Sequence, residues 1–528
     1  MQRRQFLKGA AALGLAAGTS AVEVANAAGG QANGDYVLPD HIAAALARFR
    51  ETIPARFDRA YVENSVIPFF LASFYEGERP MLPLIDVNLS KENALPHDLW
   101  GLIYKEWRPT PEEGSTVFLQ GLENRGADNL RKRIYFSAVT PDLYQPMYQE
   151  KVVAFFDRLM DDKFANRPFM RHYLDYYFDI YWDLHLGVTG DAIPPQVREI
   201  GEAFNTVLAY RNPLEPIVYD NYMTVRKHLD FLKQWIDDRV GDIQSGRTPH
   251  PEKTMAWYWL KNAGDGKHFS QKDIVFECFH NFVAFSQWGN SIFGIMSRLC
   301  ERQGDPEVRG IFHNIMSGDY DNAGDAVYTP LELLVMELFR TISPNSGSIS
   351  AVADSQTSAY GESPHRRFGL AFERHSFIMT PHTTTSFSPI HWQEPERFDP
   401  DRYRDVPTSA QINEEKVQEI GLARCPFHIT AMEVNDGRKV SITNSGFGTV
   451  FGVVDGKPKP VCDYAGFAPF GFSYRRCPGE QLTIQVFEDF LRKVWRDKIT
   501  FHKLELASVG RVPVGPVAVI DDDIGFSR

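Results

Sequence analysis

One cysteine near the C-terminal end, Cys477, stands in the turn Phe470-Gly-Phe-Ser-Tyr-Arg-Arg-Cys-Pro-Gly479, behind two arginines and directly ahead of a strongly periodic helical stretch. A helix that begins just after a sulfur offers it unpaired backbone N–H groups and the positive end of the helix dipole. Together with nearby positive charge, these are the conditions that keep a thiol inside a protein deprotonated. The segment therefore reads as a device for presenting a thiolate. Taken alone, an Arg-x-Cys-x-Gly turn reads at least as well as an ordinary structural cysteine, so the meaning of Cys477 depends on what else the chain carries.

Two upstream segments supply that context. Glu337-Leu-Phe-Arg340 is followed by Pro344, and Pro395-Glu-Arg-Phe-Asp-Pro-Asp-Arg-Tyr403 comes later in the chain. With the cysteine turn they resemble, in order, the Glu-x-x-Arg helix, the Pro-x-x-Phe-x-Pro-x-Arg-Phe stretch and the Phe-x-x-Gly-x-Arg-x-Cys-x-Gly ligand segment of the cytochrome P-450 superfamily. Ser473 stands where the first glycine of the ligand segment is usual. A lone Glu-x-x-Arg means little, because charge pairs three residues apart are common on solvated helix faces. The ordered set of three is specific. The resemblance implies a mainly α fold with smaller β-sheets, an α+β architecture in which heme b lies between a long central helix and the cysteine loop. It implies Cys477 as the axial ligand of the iron, with Phe470, Arg475 and Gly479 shaping the heme side of the turn and Arg475 pairing with a propionate. Glu337, Arg340 and Arg402 are expected to form a buried ionic cluster with a structural role. Leu130-Arg-Lys-Arg-Ile-Tyr-Phe-Ser137 resembles the family's third helix, where Arg131 or Arg133 would reach a propionate; a solvated basic helix face is the competing reading.

The other end of the chain carries a second signal. Arg3-Arg4-Gln-Phe-Leu-Lys8 precedes an Ala/Gly/Leu-rich stretch to about Ala21 and then Ala25-Asn-Ala27. This reads as a twin-arginine export signal over residues 1–27, cleaved after Ala27, with residues 28–38 a flexible mature N-terminus and 39–528 the heme-thiolate domain. The apolar stretch is too short and mild for a spanning anchor, so no membrane span is expected in the mature protein. The expected partners include the twin-arginine export machinery, and the expected location is periplasmic or secreted. The whole chain has a formal charge of −12; the first 27 residues carry Arg3, Arg4, Lys8 and Glu23, a net of +2, which leaves −14 after cleavage. That balance argues against nucleic acid or anionic lipid as partners.

Apolar residues at three- and four-residue spacing predict helices over Pro39 to Glu51, Pro141 to Asp162, Pro194 to Tyr210, Asn221 to Val240 and Gln271 to Arg302. Cys278 and Cys300 would share the last of these, about 33 Å apart at 1.5 Å per residue, too far to bridge. Cys425 and Cys462 remain open to a disulfide in an oxidising compartment. Between Arg402 and Cys477 lie 74 residues, more than the family spends there. Asp436-Gly437, Asn444-Ser-Gly446 and Asp455-Gly456 punctuate β-like runs at Lys439 to Thr443 and Thr449 to Val454, so residues 404–461 read as a β-hairpin-rich insertion. His280, His382 and His391 have no tight ligand spacing and read as ordinary histidines.

The long helix from Gln271 is where this chain departs from the family. Its monooxygenases carry an Ala-Gly-x-Asp/Glu-Thr motif there, whose acid and alcohol deliver the protons that dioxygen cleavage needs. Registering on the following Asp305-Pro306 loop puts Ser286-Gln-Trp-Gly-Asn290 over that motif, with Gly289 at the acid and Asn290 at the alcohol; one turn earlier, Ser286 and Gln287 take those places. Neither register offers the pair. A peroxide already contains the reduced O–O bond, and an amide, Asn290 or Gln287, can hold its oxygen without titrating. The expected function is an exported oxidoreductase using a peroxide or organic hydroperoxide on a small apolar substrate, lipid-like or aromatic, in a pocket that includes Phe282, Phe285, Trp288 and Phe293. Two alternatives stay open: a dioxygen-dependent monooxygenase with a separate exported electron donor, and a non-catalytic heme protein that binds a ligand.

Overall fold

The structure, a computed structural model, describes most of residues 40–62, 134–345, 377–404 and 464–528, with shorter pieces between them. Arg131, Arg133, Ser473, Arg475 and Cys425 lie outside the described residues, as do the signal segment and residues 28–38. The chain is mainly helical with several small sheets. Its principal helices are α1 (Asp40–Arg50), α2 (Gln149–Leu159), α3 (Phe169–Leu186), α4 (Pro195–Tyr210), α5 (Pro216–Gln244), α6 (Met255–Asn262), α7 (Gln271–His280), α8 (Phe282–Leu299), α9 (Pro306–Met316), α10 (Pro330–Ile342) and α11 (Glu480–Arg496).

The sequence punctuates these helices in ways physical chemistry explains. Thr329 caps α10 by accepting from the Glu332 N–H while the Glu332 carboxylate accepts from the Thr329 N–H, and Pro330 occupies the first helical position, where no N–H is needed. Ser270 and Asp273 make the same reciprocal cap for α7. Asp305 starts α9 by accepting from two backbone N–H groups. The region from Pro141 to Leu159 is less regular than its periodicity predicts: a π-helical turn, Tyr144–Tyr148, interrupts it before α2.

The expected continuous helix from Gln271 to Arg302 is in fact two helices. It breaks at Asn281, whose ψ of −6° lets its carbonyl accept from both Ala284 and Phe285. The reason lies in the side chain, which is engaged by two buried groups from other segments, Tyr135 and His185. Helix α8 packs on α3 with unusual intimacy. A Cβ at Gly289 would come within 2.4 Å of the Tyr173 ring, and the Tyr173 hydroxyl donates to the Phe285 carbonyl at 2.5 Å. Only a residue without a side chain lets the two helices meet there.

The sheets are peripheral. Leu82–Pro83 (β1) runs parallel to Phe377–Thr380 (β3), which pairs antiparallel with Ser348–Ala351 (β2). Within the 404–461 region, Thr430–Glu433 (β4), Lys439–Ser445 (β5) and Gly448–Phe451 (β6) form an antiparallel meander, followed by the hairpin Val453–Val454 (β7) with Lys457–Pro458 (β8). At the C-terminus Thr500–His502 (β9) pairs with Gly525–Ser527 (β12), and Ala507–Gly510 (β10) with Ala518–Asp522 (β11). The turn before β5 is tied to the helical body by Arg438, which donates to Asp436, Thr140, Asp142 and the Ser137 carbonyl and lies over the Tyr258 ring.

Candidate functional site: the cysteine turn and its support

Glu337 is fully buried on α10 and is the hub of a five-donor cluster. Its Oε1 accepts from Arg340 Nη2 at 2.7 Å, Arg402 Nε at 3.1 Å and the Asp399 N–H at 2.9 Å. Its Oε2 accepts from Arg340 Nε at 2.8 Å and the Tyr403 hydroxyl at 2.8 Å. Arg340 spends its remaining donors on the carbonyls of Ser386, Pro395 and Arg397. Burial works against the Arg340 charge, yet the fork to Glu337 outweighs it and leaves the pKa above its ordinary value. The structure thus brings together the three residues expected to pair, and it adds Tyr403. At that position the family's stretch has phenylalanine, so the hydroxyl was the signal available in the sequence.

From this cluster a chain of ring contacts leads to the cysteine turn. Tyr403 meets Phe467 edge-on, with centroids 5.5 Å apart, and Trp392 in the same way. Trp392 donates its indole N–H to the Gly466 carbonyl at 3.0 Å; a Cβ at Gly466 would lie 2.4 Å from that indole nitrogen, so the turn can approach only as glycine. Phe470 stacks on Phe339 of α10, centroids 5.3 Å apart, and Phe339 meets Phe487 of α11 edge-on. The three motifs recognised in sequence are therefore one mechanical unit. Its output is the position of Cys477.

The Cys477 N–H closes the turn on the Phe470 carbonyl at 2.8 Å, and α11 begins three residues later. Cys477 is half-buried, and a Cβ at Gly479 would lie 3.9 Å from its sulfur, so the absent side chain keeps that flank of the sulfur clear. A partly accessible sulfur at a helix N-terminus, with one flank left open by glycine, suits an iron porphyrin. Sequence reasoning passed over Arg476, which is buried, forks onto Glu480 at 2.7 and 2.9 Å and donates to the Cys462 carbonyl. That pair pins the turn to the first residue of α11.

The central helix differs from its sequence register. Asn290, expected at the alcohol position, is buried, and its Oδ1 accepts from the Val519 N–H of β11 at 2.9 Å. The side chain expected to hold a peroxide thus spends its oxygen on joining a strand to a helix. Gln287 is half-buried, and its carbonyl accepts from Ser291. Phe282, Phe285, Trp288 and Phe293 are buried; Phe282 packs against Phe178, Tyr181 and Trp182, and Phe285 against Tyr181, His185 and Trp288. These contacts make Phe282 and Phe285 part of an aromatic core rather than an open wall. The amide at the helix break, which sequence reasoning missed, is Asn281. Among the described residues no group of three His, Cys, Asp or Glu side chains is arranged to hold a metal ion, and no helix is long and apolar enough to cross a membrane.

Comparison with known proteins places this geometry. Residues 1–20 match the TAT (twin-arginine translocation) pathway signal sequence. No curated protein matches the chain. Among solved structures, a cytochrome P-450 (CYP102L1) aligns over 85% of this chain and 92% of its own, at 12% identity and a TM-score of 0.55. A zebra fish cytochrome P-450 with progesterone aligns over 85% and 94%, at 14% identity and a TM-score of 0.53. Cytochrome P-450SP alpha (CYP152B1) aligns over 78% and 82%, at 12% identity and a TM-score of 0.51. The chain has the cytochrome P-450 fold, and it opens with a twin-arginine signal sequence that directs export.

Proposed function

We infer that the protein is a periplasmic or secreted heme-thiolate oxidoreductase that cleaves the O–O bond of a peroxide or organic hydroperoxide to oxidise or rearrange an apolar organic molecule. Heme b, bound through Cys477, would supply the electron push for O–O cleavage that a thiolate ligand provides. The observation that carries the reading is the packing at Gly289. The Tyr173 ring fills the space that a carboxylate would need there, and Asn290 beside it is bonded to β11. Neither Gly289 nor Asn290 therefore supplies the acid or alcohol that dioxygen cleavage draws on. Export supports the same reading, because nicotinamide-charged electron donors belong to the cytoplasm. Arg475, with Arg131 or Arg133, would neutralise the propionates.

A second reading has one observation in its favour. Glu277 is fully buried one turn before the helix break, and its charge is felt by Tyr135. A carboxylic acid there suits a dioxygen-dependent monooxygenase served by an exported electron donor. Purified mature protein given hydrogen peroxide or a fatty-acid hydroperoxide should consume it and oxidise or rearrange an organic substrate. Turnover only with dioxygen and a reducing partner would favour the second reading, and no turnover under either condition would overturn both. Cys477→Ala should abolish the red-shifted Soret band of the ferrous carbonyl complex.

A further inference from the structure

Beside the cysteine turn lie three rings that give up an electron more readily than phenylalanine does, and one of them reaches the surface. Trp392 donates its indole N–H to the Gly466 carbonyl, meets Tyr403 edge-on at 5.5 Å and meets Tyr464 edge-on at 4.7 Å. Tyr464 stands two residues before Gly466 and six before Phe470, whose carbonyl accepts from the Cys477 N–H at 2.8 Å. A second tie runs from the other side: Arg476, the neighbour of Cys477, donates to the carbonyl of Cys462, two residues before Tyr464. The turn that presents the sulfur is thus joined by direct contacts to all three rings.

The rings differ in what losing an electron would cost. Trp392 is buried beneath two guanidiniums, with Arg402 Cζ 5.3 Å and Arg340 Cζ 5.7 Å from its ring centroid. Cations over a ring hold its π electrons, and both would repel an indole radical cation. Tyr403 is fully buried and bonded to Glu337 inside the same arginine cluster, so an electron taken from it would leave one more positive charge among two others. Among the described residues no cation lies over the Tyr464 ring. Its hydroxyl donates to the His391 carbonyl, which orients the phenol and cannot keep its proton, and Tyr464 is only half-buried, so the proton can pass to water. Oxidation therefore costs least at Tyr464. Next to it the His391 ring stands edge-on at 6.2 Å and Ile390 is 81% exposed, which gives the phenol an aromatic and an apolar neighbour at the surface.

We propose that Tyr464 is a surface oxidation site for phenols, fed from the heme side through Trp392, a role that rests on Cys477 as the heme ligand and on the peroxide reading. Reducing hydrogen peroxide to two waters takes up two electrons and two protons. Each electron passes inward from Tyr464 by way of Trp392, while the Tyr464 O–H breaks and its proton goes to water. A phenol at the surface then returns one electron and one proton to the Tyr464 oxygen and leaves as a phenoxyl radical, so two phenols are consumed for each peroxide. The test mixes mature, heme-loaded protein with hydrogen peroxide in the absence of a phenol and reads the frozen sample by electron paramagnetic resonance. A tyrosyl radical signal is expected, narrowed when the protein carries ring-deuterated tyrosine, lost in Tyr464→Phe and kept in Tyr403→Phe. Tyr464→Phe should retain the red-shifted ferrous carbonyl band and should lower kcat/KM for guaiacol about tenfold or more. A wild-type protein that consumes peroxide without a tyrosyl signal, or a Tyr464→Phe variant with the full signal, would overturn the assignment of Tyr464 and leave the peroxide reading standing. A wild-type protein that leaves hydrogen peroxide intact would overturn both.

Discussion

Glu337→Gln is the sharpest test of how the thiolate is positioned, because it changes charge and leaves shape almost intact. The carboxylate accepts five hydrogen bonds, three on Oε1 and two on Oε2, and every one of its donors is in place. An amide nitrogen at either position would point hydrogens at Arg340, whose guanidinium is fully buried. Two arginines would then share no carboxylate. Breaking a buried ion pair from one side costs about 3–5 kcal/mol. A chain of roughly 500 residues unfolds with an entropy near 2.1 cal/mol/K per residue, about 1 kcal/mol/K in all, so the expected fall in Tm is about 3–5 °C. The local effect should be larger than that shift suggests. Tyr403 and Trp392, which carry the cluster's position to Phe467 and Gly466, both rest on it. The assay is the fraction of heme giving the red-shifted ferrous carbonyl band, measured beside the thermal unfolding curve; most of that band should be lost. A variant with full band intensity and a Tm within about 1 °C of wild type would refute the account of how the turn is held.

Acid should destabilise the fold through histidines buried in their neutral form. Burial takes His185 and His382 from an ordinary 6.5 to about 4. The unfolded chain binds protons that the folded one refuses, so stability is intact above about pH 6.5 and falls as pH drops toward 4, by about 3 kcal/mol per histidine at the end of that range. Urea midpoints between about pH 7 and pH 4.5 should therefore fall less steeply in His185→Gln; parallel curves would refute the assignment. Gly289→Ala should cost about 1–3 kcal/mol, because its Cβ meets the Tyr173 ring at 2.4 Å, and Tyr173→Ala should relieve part of that loss in a double-mutant cycle. Asn290→Ala should cost about 1–3 kcal/mol by leaving the Val519 N–H without its acceptor, and should leave the ferric spectrum unchanged; a shifted spectrum would return Asn290 to the heme face. Arg438→Ala should raise amide hydrogen exchange in Thr430–Ser445, since that side chain joins Asp436 to Thr140, Asp142 and the Ser137 carbonyl; unchanged exchange would show that the meander is held by other means.

Some of this was readable from residue order. The Glu337, Arg340 and Arg402 cluster rests on side-chain types at set spacings, and charges so costly to bury leave few alternatives once all are present. The helix start at Gln271 was readable because its cap, Ser270 with Asp273, is a local interaction between neighbours in sequence. The break at Asn281 was not. Asn281 looks like any polar residue in a periodic run, and its partners Tyr135 and His185 are 146 and 96 residues away. Asn290 failed in the opposite direction: its place in a motif register suggested chemistry, while a strand more than two hundred residues later had already taken its oxygen. Tyr403 was visible as a departure from the family's phenylalanine, but its hydroxyl had no meaning until Glu337 was seen beside it.

The sequence by itself determined that the chain opens with an export signal, that it is built mainly of helices, and that one cysteine turn stands with an acidic and basic set that belongs near it. Each of those follows from short-range order, where composition, spacing and capping are read along a few turns of chain. Only the tertiary structure decided which face of the central helix does what. A helix shows every side of itself to its own sequence equally, and the choice is made by whatever packs against it: Tyr173 on Gly289, β11 on Asn290, and Tyr135 with His185 on Asn281.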